Sequence, residues 1–329
     1  AQRKDTGLQH GSPDAAGAAV GDSRVDNVTE GLPSVVAESQ VRQEGGTLRW
    51  IRGSSLHLFR PSGHTNHVRN LGGVADMENK QPSMIDLLIE THIGLKRQGP
   101  GSPEATNKAL SFLDNIDQFA QTADLGCGTG GQTLLLSRCL PGTITGIDLF
   151  PDFIDVFKEN IREQNLEDRV KGIVGSMDDL TFAKNSLDLI WSEGAIDNIG
   201  FEKGLSYWRG FLKKGGYVAV TCPSWITHEK PEEVERFWSD AGSRLDFVED
   251  NIRAMERCGY QYVASFVLTE QCWMENYFIP REAAIKSLLE RYSGNGTVKE
   301  FAEQNQYEVE LYSRYRQHYG YVFYVGRAR

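Results

Sequence analysis

From residue 121 onward the apolar positions alternate between two patterns. "TADL" (122–125), "TITGIDL" (143–149), "VKGIVGS" (170–176), "LDLIWSE" (187–193) and "GGYVAVT" (215–221) are short runs bounded by glycine or polar residues, the pattern of buried strands. Between them lie helical patterns. "GQTLLLSRCL" (131–140) is one, and "DFIDVFKENIREQN" (152–165) sets Phe153, Phe157 and Ile161 on one face at i, i+4 and i+8. Strands alternating with helices of this length predict a doubly wound α/β fold, with a mostly parallel seven-stranded sheet and helices on both faces. Upstream, 83–97 and 104–119 read as N-terminal helices separated by the breaker-rich "RQGPGSPEAT". After Thr221 helices are expected near 231–240, 246–258, 280–291 and 298–317. "QYVASFVLT" and "GYVFYVG" are expected to add two edge strands, the last of them antiparallel.

Residues 1–76 break this texture. Trp50 and Phe59 are their only aromatic residues, no apolar period persists, and eight basic residues cancel eight acidic ones. Such a segment buries too little apolar surface to offset its ordering entropy, and the expectation is a disordered or non-native leader. The first methionine is Met77, so 77–329 is read as the working domain; the sequon Asn27-Val-Thr29 is given no role. The net charge of −10 argues against nucleic acid or an anionic membrane as partner. No apolar run approaches the roughly 18 residues needed for a span. The five cysteines form no C-x-x-C pair and lack the spacing of zinc ligands, which points to a reducing, cytoplasmic setting and no metal.

The loop "DLGCGTGGQT" (124–133) fits two ligands. Gly126, Gly128 and Gly131 satisfy G-x-G-x-x-G, which presents a helix N-terminus to a pyrophosphate. Gly126, Gly128 and Gly130 satisfy G-x-G-x-G, the loop of enzymes that bind S-adenosylmethionine. Asp124 discriminates. A carboxylate beside a pyrophosphate is a like-charge neighbour, whereas beside a sulfonium and an ammonium it is attractive. Asp148 ends the second strand, where a carboxylate accepts hydrogen bonds from both ribose hydroxyls of either cofactor.

From about residue 84 to 225 the chain resembles a class I, Rossmann-like S-adenosylmethionine-dependent methyltransferase of the small-molecule type. The resemblance rests on "ADLGCGTGGQT", "GIDLF", "GSMDDLTFAKNSLDLIWSEGAI" and "WRGFLKKGGYVAVT", in the family's order and spacing. It is nearest to quinone-type C-methyltransferases and to a bacterial branch carrying "WSEGAI" and a long helical C-terminal part. The resemblance implies a cofactor core at about 104–225 and a substrate-specifying helical part at about 226–318. It implies that Gly126, Gly128 and Gly130 cradle the methionine part, Asp124 its amino end and Asp148 the ribose. Ser176 and Met177 would flank adenine, with Asp178 a partner for the exocyclic amine; many relatives carry an acid where Ser176 stands. Gln98, Gly99 and Gly101 resemble the loop that folds over the cofactor.

Methyl transfer is an in-line displacement that needs alignment more than a covalent catalyst. A general base matters where the nucleophile carries a proton. Candidates are Glu193, at the end of the fourth strand, and His228, after the fifth, with Tyr277 a weaker third. Trp191, Trp225, Trp238, Trp273 and Tyr277 are either core or the walls of a pocket for an apolar or aromatic acceptor. The competing readings are a nicotinamide-dependent oxidoreductase and a cofactor-binding protein without catalysis.

Overall fold

The computed structural model describes residues 81–329, so the expectation for residues 1–76 and the start at Met77 lie outside the described residues. An eight-stranded sheet forms the centre. Its strands are β1 (Gln121–Leu125), β2 (Thr143–Asp148), β3 (Val170–Val174), β4 (Leu187–Ser192), β5 (Leu212–Trp225), β6 (Asp246–Phe247), β7 (Tyr260–Val267) and β8 (Tyr319–Ala328). They are ordered β3-β2-β1-β4-β5-β8-β7, with the two-residue β6 paired to the end of β5. The first five are parallel, and β8 runs antiparallel to both β5 and β7. The expected seven strands are all present, and β6 is the addition. Strand β1 lies between β2 and β4, so the order reverses there and opens a crevice beyond the C-terminal ends of β1 and β4.

The helices follow local rules. Helix α1 (Met84–His92) starts at a capping box in which Ser83 and Asp86 bond each other's backbone amides. Ser102 caps α2 (Pro103–Leu110), with Pro103 in its first turn. These two helices are shorter than their patterns suggested; Gly94 and the left-handed Asn115 lie in the chain that follows them. Helix α3 (Gly131–Cys139) follows the glycine loop. In α4 (Pro151–Glu163) the spaced Phe153, Phe157 and Ile161 are all buried. Helix α5 (Phe201–Trp208), between β4 and β5, was not anticipated. Helices α6 (Glu232–Asp240), α7 (Val248–Arg257), α8 (Glu270–Trp273), α9 (Ile279–Arg291) and α10 (Gly296–Tyr315) follow, α8 and α9 being joined by a π-helical turn, Met274–Phe278.

Strand alternation divides the core. Leu189, Trp191, Tyr217 and Ala219 face one cluster, which also takes Trp225, Trp238, Trp273 and Tyr277 from the C-terminal part. Ile190, Val218 and Val220 face the other, with Leu205 and Trp208 of α5 and Met255 of α7. The five aromatic residues weighed as pocket walls are buried in the first cluster. A smaller cluster joins Leu87 and Leu88 of α1 to Ile285 and Leu288 of α9 and Val298 and Phe301 of α10. No helix among the described residues is long and apolar enough to cross a membrane.

Candidate functional site

The crevice at the strand reversal is a cavity. Its walls come from the segment before α2 (Arg97, Gln98, Gly99, Pro100), the glycine loop (Gly126, Gly128) and the end of β2 (Asp148). The turn after β3 (Ser176, Met177, Asp178) and the turn after β4 (Glu193, Gly194, Ala195, Asn198) complete them. The glycine loop is shaped by its protein neighbours. Gly126 has φ +78°, and a Cβ there would stand 2.3 Å from the Cβ of Ala195. At Gly128 it would stand 2.1 Å from Oε1 of Gln98. That oxygen accepts the Thr129 amide at 3.0 Å, while Nε2 of Gln98 donates to Thr129 Oγ1, Leu95 O and His92 O. The segment 96–101 is thereby strapped down on the loop.

Asp148 clamps the loop from the other side. Its Oδ2 accepts the Gly128 amide at 2.8 Å and its Oδ1 the Phe150 amide at 3.0 Å, which leaves each oxygen further acceptor capacity toward the cavity. Burial raises its pKa, and the Phe150 and Gly128 amides oppose the rise. Beyond β3, Ser176 Oγ donates to Asp178 Oδ1 at 2.5 Å, and that bond first, then Lys203, holds the Asp178 carboxyl below its ordinary value. The Met177 carbonyl is already engaged by Nε1 of Trp208 at 2.8 Å.

Glu193 is the most heavily bonded acid of the site. Its Oε2 accepts from Arg97 at 2.7 Å, and its Oε1 from Thr106 and from the Trp191 indole at 2.7 and 2.9 Å. Through these three bonds it anchors Arg97 and the strap to β4. Asp124 is not on the cavity wall. It lies fully buried behind the loop, where Oδ2 accepts from Thr133 at 2.5 Å and Oδ1 is buried with no partner at hydrogen-bonding distance. Burial raises its pKa to about 7; the Thr133 bond opposes this and nearby Glu193 adds to it.

Of the expected site residues, Gln98, Gly99, Gly126, Gly128, Asp148, Ser176, Met177, Asp178 and Glu193 are brought together. Gly130 instead packs under Phe157, where a Cβ would stand 2.0 Å away. Gly101 ties the strap to the C-terminal part, its amide bonding Cys272 O and its carbonyl accepting from Asn276. The candidate base His228 is corrected. Its side chain is 85% exposed, packs on Phe247 and is 3.9 Å from Glu249, outside the cavity. Tyr277 is buried in a polar cluster with His92 and Arg281. Sequence reasoning missed Arg97, Gln132, Asn198 and Lys203. Only Arg97 carried a signal, its place beside Gln98 in "RQGPGS".

The buried acids make stability fall with pH. Asp197, on the 3-10 turn Ile196–Asn198, is raised like Asp124 from 3.8 to about 7, chiefly by burial. Each folded pKa exceeds the unfolded one, so the contribution is full below about pH 4 and lost as pH rises through about 7. Linkage puts it on the order of 4 kcal/mol per group. Asp178, Glu202 and Glu233 are held low and act with opposite sign only at more acid pH. The melting temperature of the ligand-free protein is expected to fall from pH 5 to pH 7.5 and then level off. A rise over that interval, followed by scanning calorimetry, contradicts these assignments.

A doubly wound sheet with a glycine loop, an acid at the tip of β2 and a cavity at the strand reversal defines a nucleoside-binding α/β protein. Comparison narrows the class: residues 123–220 match the family described as "Methyltransferase domain". The fold is the Rossmann-like one of class I S-adenosylmethionine-dependent methyltransferases. It is 25% identical over 167 residues to the ribosomal protein L11 methyltransferase of Vibrio cholerae, covering 50% of this chain and 52% of that one. To the erythromycin 3''-O-methyltransferase of Saccharopolyspora erythraea it is 30% identical over 138 residues, covering 39% and 44%. The chain thus spans about half the length of the curated relatives it matches. Among solved structures, a SAM-dependent methyltransferase from Thiobacillus denitrificans in complex with S-adenosyl-L-homocysteine superposes with a TM-score of 0.65 at 20% identity, over 74% of this chain and 98% of that chain. The [4+2]-cyclase SpnF superposes at 0.61 with 19% identity, over 74% and 92%. These likenesses bear on the fold.

Proposed function

We propose that the protein transfers a methyl group from S-adenosylmethionine to a small-molecule acceptor by in-line displacement. The observation that carries the choice of ligand is the charge of the cavity. Its two cations are both spoken for, Arg97 by Glu193 and Lys203 by Asp178, while Asp148 has no cationic partner. A pyrophosphate would find no free cation in this lining, and the ribose that Asp148 suits is common to both cofactor classes. A ribose and a cationic methionine suit the same groups. When bound, S-adenosylmethionine supplies an electrophilic methyl carbon on sulfur.

In this reading Asp148 receives the ribose hydroxyls, and Ser176, Met177 and Asp178 border the adenine. Gln98 and Gly99 cover the loop of Gly126, Gly128 and Gly130. Asp124, behind Gln132, adds negative charge at the amino-acid end through its unpartnered Oδ1. Glu193 is a positioning residue that orients Arg97. The strap and the aromatic C-terminal part exclude water from the displacement. The part from 226 to 318 would select the acceptor. The relatives' names include ribosomal protein L11 and erythromycin, and the acidic net charge favours a small molecule over nucleic acid.

Calorimetric titration of the full chain with S-adenosylhomocysteine and, separately, NADH tests the reading. Micromolar binding of the first with no signal from the second is expected. The reverse result overturns the reading in favour of an oxidoreductase. Nucleoside binding without turnover on a broad acceptor panel would leave a cofactor-binding protein, and the SpnF fold shows that this architecture also hosts a cyclase.

A further inference from the structure

Gly99, Gly126, Gly128, Gly175 and Gly194 line the cavity. For three of them the backbone accounts for the missing side chain. Gly126, Gly128 and Gly194 have φ of +78°, +55° and +68°, a region that favours glycine. A Cβ on Gly126 or Gly128 would also strike Ala195 or Gln98, and one on Gly175 would rest against Ile147 at 3.4 Å. Gly99 differs from all of these. Its φ lies outside the left-handed region, and a Cβ there would meet no atom within 4 Å. Its neighbours Gln98 and Pro100 are buried, and its own open side belongs to the cavity it lines. Neither backbone nor packing calls for glycine at this place, where alanine would stabilise the fold by restricting the unfolded chain.

The place of Gly99 in the strap gives that open space a meaning. Gln98, before it, bonds the Thr129 amide over the loop that follows β1. Gly101, after it, sits at the end of β4, where a Cβ would stand 3.1 Å from Oε2 of Glu193. Gly99 and Pro100 therefore span the gap between the β1 loop and the β4 turn, and β1 and β4 are neighbours in the sheet. A ribose on Asp148 would lie beside the Gly128 amide, and the cofactor's sulfur is one carbon beyond the sugar ring. Resting on the methyltransferase reading above, we propose that this sulfur lies beneath the span and that the clearance at Gly99 is the passage by which the acceptor reaches the methyl carbon. Gly99 is then a specificity-determining position. In-line displacement requires such a passage, because the nucleophile approaches from the side of the methyl carbon away from sulfur, and that side must be free of protein. The lining nearby is uncharged or neutralised: Pro100, Ala195 and Ile199 are apolar, and Arg97 is paired with Glu193. The acceptor that this passage takes presents a slim, uncharged reacting end.

The S-propyl analogue of S-adenosylmethionine tests this without knowledge of the acceptor, because its propyl group extends from sulfur into the space an acceptor would enter. S-adenosylhomocysteine carries no such group. In calorimetric titrations of the full chain, the parent is expected to bind both. Gly99→Leu is expected to weaken the S-propyl analogue roughly tenfold or more and to leave S-adenosylhomocysteine within about twofold. Gly99→Ala should act in the same direction by a smaller factor and melt no lower than the parent, so it decides the matter if the leucine variant folds poorly. Gly94→Val is the control: Gly94 is also open at its Cβ position but lies off the cavity wall, and both ligands should bind it as they bind the parent. Equal losses of both ligands at Gly99 would mean that the glycine clears the nucleoside itself, and no loss of either that it faces solvent. Each result overturns the proposal and leaves the cofactor reading intact, as does a parent that binds S-adenosylhomocysteine but excludes the S-propyl analogue. Failure of the parent to bind S-adenosylhomocysteine overturns the cofactor reading itself, and this inference with it.

Discussion

Asp148→Ala is expected to lower affinity for S-adenosylhomocysteine by a factor of 100 or more. The carboxylate has two duties that fail together. It holds the Gly128 and Phe150 amides, and so sets the loop, and in the proposed complex it accepts the ribose hydroxyls. Hydrogen bonds to a charged group contribute about 1.5–3 kcal/mol each, and losing two of the ribose contacts corresponds to roughly 10²–10⁴ in affinity. Asp148→Asn keeps the shape and one acceptor oxygen, and should lose less. Calorimetric titration of both variants decides the matter. Binding within fivefold of the parent in the alanine variant would remove Asp148 from the ligand site and leave it as a loop clamp.

The largest expected effect on stability lies away from the cavity. Arg281 and Glu308 form an ion pair at 2.6 Å with side chains 1% and 2% exposed. Around it runs a polar chain. His92 Nδ1 lies 2.8 Å from the Leu88 carbonyl and, facing an oxygen, must be the donor; its Nε2 then accepts from Tyr277, whose oxygen in turn accepts from Arg281. The guanidinium also lies over the rings of Tyr277 and Phe278, at 4.6 and 5.0 Å. Glu308→Ala leaves this cation buried without its counter-charge. Breaking a buried pair from one side costs about 3–5 kcal/mol. For a chain of this size that is a fall in Tm of roughly 6–20 °C. The double variant Arg281→Met, Glu308→Leu should recover most of it, because the desolvation penalty disappears with the charges. Thermal melts of the single and double variants test this. A single variant melting within 2 °C of the parent would show that the pair contributes no more than an exposed one.

Much of the fold could be read from the chain because it is local. The Phe153, Phe157, Ile161 spacing forces a buried helix face, and runs such as "LDLIWSE" have few alternatives once helices flank them. Helix α5 escaped because "FEKGLSYW" is short and interrupted by a glycine that fits only by packing against Ile196 and Ile199. The cavity was legible where the glycine loop and Asp148 share one βαβ unit. It was illegible where chemistry depends on contacts between distant segments. Nothing near Glu193 announces that Arg97, 96 residues upstream, takes up its carboxylate. His228 had the chemistry of a base, but no pattern says which way a loop turns its imidazole. Conversely, Asp197 looked ordinary, since only the folded chain buries its two carboxylate oxygens.

The strap from Lys96 to Gly101 is bonded to three bodies at once. It touches the glycine loop through Gln98, β4 through Arg97 and the turn between α8 and α9 through Gly101. A ligand that orders the loop therefore also changes the free energy of the Cys272–Asn276 turn, and by reciprocity whatever settles on that turn alters affinity at the loop. The strap makes the fit of the loop depend on how the C-terminal part packs. Substitutions that retune one end of the molecule for a new partner will register as a change in nucleoside dissociation at the other.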